Sequence, residues 1–132
     1  MKRAHLLIGI ATLIIFALTG QYMDRYHDHL HGMPDLPRML YRSRHIYLLL
    51  AGLLHLGLGL YLRMIPASWR GWAQIAGSAL VMLSTGLLLA AFFYEPQHPD
   101  LNDTPFSRHG IYLVCAGALL HMISQIPNPR DV

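Results

Sequence analysis

Residues 43–55 read SRHIYLLLAGLLH, and residues 107–121 read SRHGIYLVCAGALLH. With single-residue insertions at Gly110 and Ala118, the second phrase matches the first at 11 of 13 positions. Each begins with Ser-Arg-His, runs into an apolar stretch too long for a buried strand, and ends on a histidine. How these two phrases are read decides the fold.

Working outward, four apolar segments appear: residues 5–23, 45–65, 72–94 and 109–126. Each has the roughly 17 to 25 residues a helix needs to cross a hydrocarbon core. The runs are continuous and do not alternate, which excludes the β-barrel as the spanning solution. Composition agrees: 54% of the 132 residues are hydrophobic and only 13% charged, about half the charged share of a soluble domain. The expectation is an all-α integral membrane four-helix bundle in one domain, residues 1–132. The Lys and Arg residues that give the chain its +3 charge flank the apolar runs and form no basic stripe, so nucleic acid is excluded as a partner. The lipid bilayer is the implied partner, with a redox or membrane-protein partner and oligomerisation compatible with the same reading. The single cysteine, Cys115, rules out an internal disulfide and reads as a buried thiol.

The first segment, with Met1-Lys2-Arg3 ahead of it, has the shape of a signal peptide. Its retention is expected because the third segment needs a partner in the repeat. The halves, residues 1–65 and 66–132, correspond: an apolar helix ending at Thr19-Gly20 or Thr85-Gly86, an acidic loop with histidine, then Ser-Arg-His and another helix. This pattern predicts a duplicated transmembrane hairpin with both copies in the same orientation, related by an axis along the membrane normal. Lys and Arg counts on the two sides tie at five each, with Arg25, Arg38, Arg42, Arg44 and Arg108 on the loop side. Those on the side of both termini, Lys2, Arg3, Arg63, Arg70 and Arg130, lie closer to the helix ends. The positive-inside bias therefore places the termini in the cytoplasm, in a bacterial inner membrane. Ser43 and Ser107 read as helix N-caps, Pro66 and Pro127 as helix stops, and Tyr22, Tyr41, Tyr47, Trp69, Trp72, Tyr94 and Tyr112 as an aromatic belt.

Duplication makes the second and fourth helices symmetry mates. His45 and His109 then share one interface. His55 lies about 15 Å further along the axis and His121 about 18 Å, near mid-bilayer. Ionisable groups at that depth are costly and point to function. Paired histidines suit the axial positions of haem b: His55 with His121 for an inner haem, and His45 with His109 for an outer one. Arg44 and Arg108 would partner the outer propionates. Gly9, Gly20, Gly77 and Gly86 would admit the flat macrocycle. This layout resembles that of di-haem b-type cytochromes, in which histidines on the second and fourth helices of a four-helix bundle hold two stacked haems. The resemblance implies electron transfer. Helix geometry resists the two-haem form, however. Ten residues leave His45 and His55 about 80° apart around the helix, and twelve leave His109 and His121 about 120° apart.

Two alternatives use the same residues, and a third uses the first outer loop. In an accessory subunit without enzymatic activity the histidines would only hold helices together. They would also serve proton transfer. Finally, MDRYHDHLHGM, residues 23–33, alternates His27, His29 and His31. An extended backbone would point all three to one side, with Met23, Met33, Asp24, Asp28 and His98 nearby, a donor set suited to copper or zinc handling outside the membrane. No hydrolase or transferase motif appears.

Overall fold

The computed structural model describes residues 1–65 and 68–126. Four long helices account for nearly all of them: α1 (Lys2–Tyr26), α2 (Asp35–Tyr61), α3 (Trp69–Tyr94) and α4 (Pro105–Gln125). All four are long and apolar enough to span a membrane. Among the described residues there are no strands.

Three boundaries differ from the sequence expectation. The phrase-opening serines do not cap helices. The second helix starts at Asp35 behind Pro34, and the fourth at Pro105 behind Thr104, because proline's fixed φ is already helical and its missing N–H falls among amides that have no helical partner. Ser43 lies inside α2 and donates to the carbonyls of Met39 and Leu40. The second helix also ends early, at Tyr61, leaving Leu62–Ile65 outside it. Pro66 and Pro127, the expected stops, lie outside the described residues. Only α3 has a serine cap: Ser68 accepts from the Gly71 amide.

Packing is closest within the pairs α1/α2 and α3/α4, and α2 with α3 carries most of the contact between the pairs. In the second pair the backbones touch. A Cβ on Gly77 would lie 2.9 Å from the Gly117 carbonyl oxygen, and one on Gly117 would lie 2.7 Å from the Gly77 carbonyl oxygen. Such small-residue contacts let membrane helices gain dispersion energy without a hydrophobic driving force. In the first pair Gly9 meets the backbone of Leu56 in the same way. Gly9 and Gly77, which the sequence offered to a macrocycle, each lie against the backbone of the neighbouring helix.

The interior is graded along the bundle. Towards the connecting loops it is apolar and aromatic, built on Leu30, Tyr41, Leu48, Ala51, Leu88 and Phe92. Towards the terminal end it is polar: His5, His55, Gln74, Ser78, His121 and Ser124 are all buried. Leu7, Ile14, Leu53, Trp72, Leu83 and Tyr112 face outward instead, as lipid-facing positions do. Cys115 is exposed on this surface, a correction to its expected burial. Tyr41 is likewise a core residue and takes no part in the aromatic belt.

A buried histidine chain as the candidate functional site

His5 enters the interior from the first turn of α1. Its Nδ1 lies 2.8 Å from His55 Nδ1 on α2, and its Nε2 lies 2.9 Å from the Ser78 hydroxyl on α3. The same hydroxyl lies 3.2 Å from His121 Nε2 on α4. At the other end, His55 Nε2 lies 2.9 Å from the Thr85 hydroxyl of α3, which donates to the Val81 carbonyl. One polar chain, Thr85–His55–His5–Ser78–His121, thus ties all four helices. Its three rings are at most 5% exposed.

Donor counting fixes every proton in the neutral chain. The Thr85 proton is committed to Val81, so Thr85 must accept, and His55 carries its proton on Nε2. His55 Nδ1 is then an acceptor, and His5 must donate from Nδ1. His5 Nε2 becomes an acceptor for the Ser78 hydroxyl, which in turn accepts from His121 Nε2. His121 Nδ1 is left as a buried acceptor with no partner among the described residues. A buried polar atom without a hydrogen bond costs about 1–3 kcal/mol, so this exception requires a reason.

His55 and His121 therefore belong to one cluster, as the sequence expected, but they do not meet across an axis. His5 and Ser78 stand between them, with the His5 ring centroid 4.9 Å from that of His55 and 6.2 Å from that of His121. Nor does the cluster lie midway along these helices. His55 lies under two turns from the end of α2 and His121 about one turn from the end of α4, because both helices begin well before their serines.

The shallow histidines are not brought together. His45 bonds the Thr19 hydroxyl through Nδ1 at 3.0 Å and stacks on Phe16, centroids 4.0 Å apart. His109 is exposed, its Nδ1 on the Pro105 carbonyl of its own helix. Their arginines separate too. Arg44 is buried, its Nε donating to Glu95 Oε2 at 2.6 Å. Arg108 is exposed. Glu95, at the end of α3, uses its other oxygen to accept from the Ser107 amide at 2.8 Å, placing a carboxylate at the positive end of α4. Ser107 is thus a capped residue, the reverse of its expected role.

The loop histidines do not share a face. Residues 28–30 form a 3₁₀ turn, and Asp28, His29 and Leu30 all have positive φ, so the extended geometry that would align them is absent. His27 turns inward against Tyr22 and Tyr41. His29 contacts Asp24, and its ring lies 5.9 Å from that of His31. Met23 and Met33 pack on the apolar core, and His98 stacks on Tyr94. Among the described residues no three side chains of His, Cys, Asp or Glu are grouped to hold a metal.

Sequence reasoning missed His5, Ser78, Thr85 and Glu95. A signal for the hydroxyls was present: Ser78 and Thr85 are seven apart, on one helix face, and the repeat offset that relates Gly20 to Gly86 matches them to Thr12 and Thr19. His5 has no counterpart histidine, since the same offset places Gly71 there.

The chain matches no family model, no curated protein and no solved structure.

Proposed function

We propose that this is a small membrane protein whose histidine chain accepts, holds and relays a proton in the terminal-side part of the bundle. The observation that carries the reading is the donor count: three neutral imidazoles satisfy every bond in the chain and leave one acceptor, His121 Nδ1. A proton added there makes His121 an imidazolium. His121 then passes its Nε2 proton to Ser78 as Ser78 gives its own to His5 Nε2. His5 releases its Nδ1 proton to His55 Nδ1. The charge now rests on His55, whose two N–H groups donate to His5 and Thr85, and His121 is neutral again with its proton on Nδ1. No bond of the chain is lost in either state. Buried ionisable groups in membrane helices characteristically form such relays.

The wider setting is a duplicated hairpin, residues 1–65 and 66–132, in a bacterial inner membrane with both termini cytoplasmic. The repeated phrases support the duplication, and the basic residues at the terminal-side helix ends support the orientation.

The test is ¹⁵N-histidine NMR of the protein in bicelles. Expected in the neutral state are His5 protonated on Nδ1, and His55 and His121 on Nε2. As pH falls, one proton should enter and move the resonances of all three rings together. Ser78→Ala should uncouple His121 from the other two. Independent titration of the three rings, or His5 protonated on Nε2, would reduce the cluster to structural glue.

Electron transfer through haem b at His55 and His121 uses the same residues and requires His5 and Ser78 to leave the space between them. A reduced-minus-oxidised absorption spectrum separates the two readings. Haem bands in protein made with ample haem, lost in His55→Ala, would replace the relay with the haem.

A further inference from the structure

A cleft of about 320 Å³ opens between α2 and α4 near the loop end of the bundle, lined by Arg44, Tyr47, Thr104, Arg108, Ile111 and Tyr112. It brings together the Arg and Tyr of both repeated phrases. Its charges are unequal. Arg44 is neutralised by Glu95 and lies with its guanidinium carbon 5.8 Å from the Tyr47 ring centroid. Arg108 pairs with no carboxylate among the described residues; Asp100 is turned to the Asn102 amide, and Asp103, next to Thr104 in the chain, is exposed. The first turn of α4 forms one wall, from Thr104 to Arg108; its positive end is already met by Glu95, so the cationic charge the cleft offers is that of Arg108. Ile111 and the two tyrosine rings supply apolar surface below that charge. Tyr112 is 66% exposed.

We infer that this cleft binds the phosphate of a phospholipid, with the acyl chains running down between α2 and α4. Arg108 holds the phosphate by charge-assisted hydrogen bonds, and the tyrosines flank it at headgroup level. The position favours lipid over free phosphate, because Arg108 and the tyrosines adjoin helices whose exposed residues, among them Leu50, Leu53 and Leu119, are apolar. This site is separate from the histidine chain and does not depend on the relay.

The test is thermal unfolding of the purified protein in detergent, titrated with phosphatidylglycerol, neutral diacylglycerol or inorganic phosphate. Phosphatidylglycerol should raise the Tm saturably, diacylglycerol should not, and inorganic phosphate should act only at far higher concentration. Arg108→Gln should weaken the phosphatidylglycerol response about tenfold, the loss of one charge-assisted hydrogen bond. Arg108→Lys should restore part of it, and Arg25→Gln, at the end of α1, should leave it unchanged. Arg108 is exposed, so these variants fold. An unaltered response in Arg108→Gln, or equal stabilisation by diacylglycerol, overturns the site. Equal potency of inorganic phosphate would reassign it to a soluble anion.

Discussion

Ser43-Arg44-His45 and Ser107-Arg108-His109 are the same three residues in nearly the same sequence, and the fold uses them in opposite ways. In the first copy Arg44 is buried on Glu95 and His45 sits between Thr19 and Phe16. In the second, Ser107 and Gly110 are the buried members, while Arg108 and His109 are exposed. The cause is the two inserted residues. Each rotates the upstream part of its helix by about 100° relative to the downstream part. His55 and His121 both face inward, so the opening triplets end about 200° apart. Identical chemistry reaches different surroundings through helix rotation alone.

The comparison breaks most visibly at the arginines. Glu95→Gln leaves Arg44 as an uncompensated buried charge and should cost about 3–5 kcal/mol, read from denaturant unfolding in detergent micelles. Arg108→Ala, at the equivalent position, should stay within about 0.5 kcal/mol. Equal costs would mean that the two arginines share one environment. A middle-sized effect is expected from His5→Ala, which strands the His55 acceptor and the Ser78 donor. The same assay should show a loss of about 1–3 kcal/mol. If His5→Ala were silent, the cluster would not be a connected chain. Smaller still is the shallow pair: His45→Phe should lose the Thr19 bond, about 0.6 kcal/mol as for typical membrane hydrogen bonds, and His109→Phe should change nothing measurable. Thiol labelling sharpens the contrast without energetics. On a Cys115→Ala background, His109→Cys should react quickly with a water-soluble maleimide and His45→Cys slowly. Similar rates at both sites would remove the rotation argument.

Different parts of the molecule were legible to different degrees. The four spans follow from length and hydropathy, and all four helices are present. Membership of His55 and His121 in one buried cluster was also readable, because the phrase repeats at nearly matched depth. The three loop histidines misled, since alternation implies one face only for an extended backbone, and positive φ at residues 28–30 folds that segment into a turn. The phrase-opening serines misled for a related reason: Pro34 and Pro105 start the helices first.

By itself the sequence determined the four long apolar helices and, through the inserted Gly110 and Ala118, that the two triplets cannot face the same way. Those properties depend on composition and on the fixed rotation per residue, which a chain carries with it. Only the tertiary structure decided that His5 completes the histidine chain, that Ser78 joins two rings, and that Glu95 holds both Arg44 and the start of α4. These partners lie 50, 73, 43, 51 and 12 residues apart along the chain. Helical periodicity states which face a residue occupies, whereas the packing of one helix against another selects what it meets there.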